Sequence, residues 1–500
     1  MTESATPGAD DVLRYAYRQG AGRDFVAPLG PPQRPLTTTF GTLPAHVATD
    51  PLCPLVWGTV DLLDDAPYPH LCAESDLSPT ERLQHALVMA FGLQRREPSN
   101  MFNDHRGCAS VRSRFPVHTY VQAAEHAWLL DVYRHGLLPI DGAPPELPAG
   151  QPLQVVLAGR YTHLPSLYGR LRGPLVELEL GISLRNLWVA LEVLGVSAEL
   201  RLPGTAVGPA MARLGLDPPD EWSVPLTVAI GGPLSPSGPA VRPQRSPSEP
   251  DDDPTLAEVV AVNRTSLETA QAHPAAWRDG VAQAVPAGLS DSPRAWSQVL
   301  WHRSAGHMPR QMAGFSGRRR PLAESVLNDA VAWVNEAPPT PLLQAVAGHI
   351  KVSACLQDVA GYATGWYRLD PSTSGRGMEP VHLDANLPAR LEACYGHGLG
   401  ANVGSAVRHA SMIWMLSADV TSLIGELGAG GWTLAQYVVG WMAHGLCLSA
   451  AAHGLYARPS RAFDEILLHP VVGMAPGEMV LLSVVSGTGR YIEPVLDLRT

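Results

Sequence analysis

The sequence predicts an α+β protein built from two related halves, each a mixed or antiparallel sheet flanked by helices, packed on each other as a pseudo-dimer. Three observations carry this expectation. The chain has 500 residues, more than a single hydrophobic core usually organises. A proline-rich segment, GGPLSPSGPAVRPQRSPSEPDDDP from Gly231 to Pro254, divides it. Similar helix and strand patterns stand on both sides of that divide.

Proline lacks the amide donor that helix interiors and central strands require, so the dividing segment reads as a linker or long surface loop. The expected organisation is an N-terminal extension over 1–50, a first domain over 51–232, a linker over 233–253 and a second domain over 254–500. Within the extension, Pro28, Pro31, Pro32 and Pro35 precede a β-prone stretch from Thr37 to Phe40.

The repeat is visible without gaps. GISLRNLWVALEVLG, from Gly181 to Gly195, aligns with GWMAHGLCLSAAAHG, from Gly440 to Gly454, so that Leu187 falls on Leu446. A short apolar run follows each after a loop: LTVAIGG from Leu226 to Gly232, and LLSVVSG from Leu481 to Gly487. Such runs suit buried strands. Both helices lie in segments apolar enough to suggest membrane spans, Val176 to Val196 and Trp432 to Leu455. The charges Glu177, Glu179, Arg185 and Glu192 in one, and the glycines and His444 in the other, favour helices buried in protein. His444 and His453 then read as core residues.

Composition narrows the function classes. Against 36 basic residues stand 47 acidic ones, a formal charge of -11, which leaves no general basic footprint for nucleic acid or an anionic membrane. Lys351 is the single lysine, so arginine carries nearly all the fixed positive charge. The six cysteines lie far apart, without C-x-x-C or Cys/His ligand spacing, and no metal site is expected. The opening Met1-Thr2-Glu3-Ser4 is polar and acidic, unlike a signal peptide, which makes the cytoplasm the expected compartment.

The glycine-bounded helix followed by a strand and G-G resembles the C-terminal half of the nitroreductase superfamily. AEVVAVNRTSLE, containing Asn263-Arg264-Thr265-Ser266, is similar to the R-R-S motif that opens those proteins and contacts FMN. HRGCASVRSRFPVHTYV, from His105 to Val121, resembles the flavin-facing R-x-x-P-S-G-G loop of SagB/ThcOx-type azoline dehydrogenases. HRSAGHMPRQM, from His302 to Met312, reads as its counterpart, and YATGWYRLDP, from Tyr362 to Pro371, is similar to a strand pair of that subfamily. In LPSLYGRLRG, Tyr168 matches the tyrosine of the subfamily's Lys-Tyr pair, with Leu167 in the lysine position. No R-R-S-like stretch opens the first half.

The resemblance implies an FMN enzyme made of two fused nitroreductase-like domains, the first partly degenerate, with about one flavin per chain. Arginine suits such a site because its planar fork bonds oxygen pairs and stays charged. The implied cofactor-binding residues are Arg264 and Ser266, with Arg490 late in the second half and Ser110 and Arg112 reaching across from the first. The implied catalytic residue is Tyr168. The implied reaction oxidises thiazolines or oxazolines of a ribosomally made peptide to thiazoles or oxazoles, with cyclodehydratase partner proteins upstream. Outside that motif order an Arg-x-Ser near a helix start is an ordinary cap or surface pair. Two alternatives stay open: a general NAD(P)H-dependent nitro- or quinone reductase, and a flavin-free scaffold of a peptide-modifying complex.

Overall fold

The structure is a computed structural model, and it describes residues 6–19, 47, 50–72, 76–98, 100, 103–140, 142–202, 207–216, 221–232, 234, 254–272, 283–308, 314–370, 377–395, 406–491 and 494–500. The expected β-prone stretch Thr37 to Phe40 lies outside the described residues, as does the expected linker apart from Leu234.

Each half is organised by one antiparallel sheet. In the first, strands β1 (Cys53–Pro54), β4 (Val117–Gln122), β5 (Ala127–Asp131), β6 (Gly136–Ile140), β7 (Leu153–Gly159), β8 (Ala198–Arg201) and β9 (Leu226–Ile230) run in the order β1-β6-β5-β4-β7-β9-β8. In the second, β10 (Gly317–Arg318), β11 (Lys351–Leu356), β12 (Gly365–Leu369), β13 (Met378–Leu383), β14 (Met412–Asp419), β15 (Tyr456–Ser460) and β16 (Glu478–Gly489) give β13-β12-β11-β14-β16, with β15 and β10 both on the outer side of β16. Reading β6 to β8 beside β13 to β15 shows one topology used twice. The expected pseudo-dimer of α+β halves is therefore present, and every ladder between these strands is antiparallel.

The repeated helices hold the two sheets together. Helix Arg172–Val193 lies between β7 and β8, and helix Gly431–Ala452 between β14 and β15. Nearly every residue of both is buried, so neither shows an apolar stripe against a polar face; they are core on all sides. They cross in contact at the glycines that the sequence alignment pairs. A Cβ on Gly181 would stand 2.0 Å from the Tyr437 carbonyl oxygen, and one on Gly440 would stand 2.1 Å from that of Leu178. Tyr437 and Leu178 are themselves aligned positions, each three residues before its glycine, so the crossing has local twofold character. Each helix ends in the same turn, Val196 N donating to Leu191 O and Leu455 N to Ala450 O, both at 2.8 Å.

Polar groups inside this crossing are matched across the halves. Arg185 donates to the carbonyls of Trp441 and Ala284 at 3.1 and 3.2 Å and lies 4.9 Å from the ring centroids of both Trp333 and Trp441. His444 is fully buried, with Nε2 3.0 Å from Asn186 Oδ1, a core histidine as its place in the sequence suggests. Glu177 accepts from Tyr161 and from Asn263, and burial pushes its carboxyl up to about 8.

A third, smaller sheet joins the halves at the surface. Strands β2 (Leu93–Arg96) and β3 (Asp104–Arg106) of the first half receive β17 (Leu496–Asp497) from the C-terminal segment, and Val60 N donates to Thr500 O. Among the described residues no helix is long and apolar enough to cross a membrane.

Two outcomes follow from the crossing. Gly440→Ala must push the two helices apart, an overpacking cost of about 1–3 kcal/mol or more, whereas Gly208→Ala, where a Cβ meets nothing within 4 Å, is expected to be neutral or slightly stabilising. Urea unfolding of both variants checks this, and equal midpoints would refute the close crossing. The second outcome concerns pH. Glu177 titrates near 4.5 when unfolded and near 8 when folded, so across that window only the folded state holds the proton. Stability supplied by this group therefore falls as pH rises, by ~1.4 kcal/mol per pH unit. Wild type should therefore lose stability relative to Glu177→Gln, which keeps an uncharged side chain at every pH, between about pH 5 and pH 8; a difference independent of pH would contradict a proton held on Glu177.

Candidate functional site

Helix Trp296–His302 leads into residues 303–308, and residues 314–316 precede β10. Arg458, on β15, fixes both segments by donating to the carbonyls of Ala305 at 2.7 Å, Gly314 at 2.9 Å and Gly306 at 3.0 Å. Its guanidinium also lies 4.3 Å from the Phe315 ring centroid, and burial pulls its pKa down to about 10. Gly306 has φ +60, and a Cβ there would meet the Tyr456 ring at 2.5 Å, so both backbone and space demand glycine.

These segments form one wall of a cleft of about 180 Å³, lined by Glu97, His302, Ser304, Gly306, His307, Ser316, Gly454, Leu455, Tyr456, Gly489, Tyr491 and Val495. Glu97 comes from the first half and the rest from the second. Ser304 Oγ accepts from Gly306 N at 3.1 Å, and Ser316 Oγ accepts from Arg490 N at 3.1 Å and Tyr491 N at 3.2 Å. Each hydroxyl keeps its own proton to donate into the cleft. The Tyr456 hydroxyl is buried without a hydrogen-bond partner among the described residues.

Charge is arranged around the cleft in layers. Burial pulls the His302 imidazole down, helped by Arg294, Arg95 and Arg499, and pulls His307 down to about 3, helped by Arg458; both rings are neutral at pH 7. Burial opposes ionisation of Glu97, yet hydrogen bonding from His105 and the charge of Arg95 outweigh it and hold the carboxyl far below its ordinary range. Arg95 Nε and His105 Nε2 lie 3.0 and 3.1 Å from the Glu97 oxygens. Arg95 also donates to the carbonyls of Trp301 and Arg303 at 2.7 and 3.1 Å, while Arg303 donates to Arg106 O at 3.0 Å. The β2–β3 hairpin of the first half is thereby locked to the second half.

The residues expected from sequence are distributed over three places. Ser110, Arg112 and Tyr168 come together in the first half: the Arg112 guanidinium lies 5.4 Å from the Tyr168 ring centroid, and Ser110 Oγ accepts from Phe115 N at 2.7 Å. Tyr168 is buried, which raises its phenol pKa, an effect that Arg112 and Arg114 partly offset. Arg490 is exposed at the cleft rim, between the lining residues Gly489 and Tyr491. Arg264 and Ser266 sit on helix Pro254–Ala272 and do not line the cleft. Arg264 is exposed, and the buried Ser266 hydroxyl donates to Asn263 O at 2.7 Å within its own helix.

Sequence reasoning passed over Ser316, Tyr456, Glu97 and His307. It marked the segment from His302 to Met312 as a motif counterpart without naming His302 or Ser304 as site residues. One signal for them was present, since Arg303-Ser304 directly after an apolar helix offers the same residue chemistry as Arg264 with Ser266. Glu97 and Tyr456 carry no comparable signal, because each reaches the cleft only through tertiary packing.

No family model and no curated protein sequence matches the chain. Among solved structures it is similar to a protein from Anabaena variabilis described as a nitroreductase, with a TM-score of 0.63 at 13% identity over 96% of this chain and 99% of that one. Partial likenesses extend to the E. coli microcin synthetase McbBCD complex with truncated pro-MccB17 bound, at TM-score 0.29 and 16% identity over 36% of this chain and 70% of that one. They extend also to a Staphylococcus epidermidis protein described as an NAD(P)H:FMN oxidoreductase, at TM-score 0.27 and 12% identity over 41% and 92%. The match of 96% spans both halves at once, so the chain carries a nitroreductase-type fold over nearly its whole length.

Proposed function

We propose that this protein is an FMN-dependent oxidoreductase that converts azolines of a ribosomally made peptide to azoles, with its flavin held against the cleft between the halves. The observation that carries the reading is the cleft itself, walled by both halves and presenting two hydroxyl protons, from Ser304 and Ser316, in a wall backed by arginines. A phosphate needs such donors and nearby cations, and the orphaned Tyr456 hydroxyl is one more polar atom that a bound polar group would satisfy. The residues present therefore fit the group. Ser304, Ser316 and the Arg490 rim would hold its phosphate end, and Arg303 would add positive charge behind them.

Bound flavin would supply the two-electron oxidation, accepting the ring β-hydrogen as hydride. The chain's own contribution is to position the peptide and to handle the α-proton. Tyr168 stays protonated at neutral pH because burial dominates its titration, so it would relay the α-proton, taking it up as its own hydroxyl proton passes on to water, and not act as a standing base. The azoline substrate is supported by the resemblance of the loop from His105 to Val121 and of the Tyr168 segment. That loop follows the β2–β3 hairpin that Arg95 and Arg303 lock to the cleft.

Purified protein is expected to be yellow, with about one FMN per chain by released-cofactor mass analysis. Replacing both serines, Ser304→Ala with Ser316→Ala, removes two hydrogen bonds to a charged group, at about 1.5–3 kcal/mol each, and should give pale protein, while Arg264→Ala should stay yellow. The opposite pattern would move the flavin to helix Pro254–Ala272. Tyr168→Phe is expected to keep its flavin and slow azoline oxidation by ~10²–10⁴-fold, read as loss of two hydrogens per ring by mass spectrometry. Rapid NADPH consumption with nitroaromatics, and no azoline product, would favour a general reductase instead.

A further inference from the structure

Ser110 to Pro116 make a turn whose conformation is costly. Arg112, Ser113 and Phe115 all have left-handed backbone, at φ 52, 51 and 47, which is unfavourable for a residue with a side chain. The turn is pinned from behind, where Val111 N donates to Glu179 Oε1 at 2.7 Å and Phe115 N to Ser110 Oγ at 2.7 Å. What it achieves is to bring two guanidiniums together beside Tyr168.

Among the described residues neither guanidinium has a carboxylate counterion. Arg114 is only 9% exposed, and Arg112 is engaged by the uncharged Tyr168. Arg106 adds a third cation: it lies 4.0 Å from the Phe115 ring centroid, with Nε buried and without a partner among the described residues. The neighbouring charges do not compensate. Glu179 faces the backbone of the turn and is pushed by burial up to about 8, so it is protonated at neutral pH. Arg160 is already paired with Glu221 at 3.1 Å, and His163 is driven by burial down to about 4 and carries no charge. Adjacent unpaired cations destabilise a fold unless an anion joins them.

We propose that Arg112 and Arg114 form an oxyanion subsite beside Tyr168 that receives a carboxylate of the substrate peptide. This rests on the peptide-oxidising reading above. Two planar forks carried by one turn beside Tyr168 suit a carboxylate, which can take paired hydrogen bonds from guanidinium. The subsite lies in the first half. The flavin is assigned to the cleft, whose lining is almost wholly from the second.

The test uses the full chain saturated with FMN and titrated calorimetrically with inorganic phosphate as the oxyanion probe. Arg112→Gln and Arg114→Gln are each expected to weaken phosphate about ten- to hundredfold, with flavin content and unfolding midpoint retained, and Arg114→Lys should recover part of the loss. In a second arm, an azoline peptide with its carboxylates amidated should show a raised KM on wild type, and Arg114→Gln should no longer distinguish the two peptides. Unchanged phosphate affinity in both folded variants overturns the subsite. Loss of FMN together with phosphate affinity also overturns it, by giving the pair to the flavin phosphate. The two readings fail separately. If azoline peptides stay unchanged while the phosphate series behaves as expected, the reaction is wrong and the oxyanion site stands.

Discussion

The crossing of the two central helices at Gly181 and Gly440 is the contact on which the rest of the molecule depends. Backbone meets backbone there: each missing Cβ leaves room for a carbonyl oxygen of the other helix. Such an approach is available only where side chains are absent, and it sets the distance between the two sheets. The ends of the helices follow from it. Gly454 and Leu455, at the end of the second helix, lie in the wall of the cleft, so the helix that glues the halves also delivers the candidate site.

Around this axis the twofold relation is kept by the framework and broken by the chemistry. Strand order, helix position and helix-terminating turns repeat, because they serve packing, which both halves need equally. The polar groups do not repeat. The first half concentrates Arg106, Arg112 and Arg114 near Tyr168, while the second presents Ser304, Ser316 and neutral histidines at its cleft. A duplicated fold thus supports two unlike polar regions on one framework.

Arginine carries much of this division of labour. Arg95, Arg303 and Arg458 each donate to backbone carbonyls and hold loops in place, Arg95 while also pairing with Glu97. Among the described residues, Arg112 and Arg114 have no carboxylate partner. With a single lysine in 500 residues, sequence composition makes all of these look alike; only their neighbours separate pins from free charge.

What the sequence determined by itself was the duplication and its helix-to-strand order, because glycine spacing and apolar runs are local properties that survive without partners. It also brought Arg112 and Tyr168 into view through two separate motifs, and the structure places the Arg112 guanidinium over the Tyr168 ring. Tertiary structure alone decided which arginines are paired, that Ser266 spends its hydroxyl on its own helix, and that Glu97 and Tyr456 meet at one cleft although they lie far apart in the chain. Pairing and burial depend on what packs against a residue from elsewhere in the chain, and residue type and spacing do not encode that neighbour.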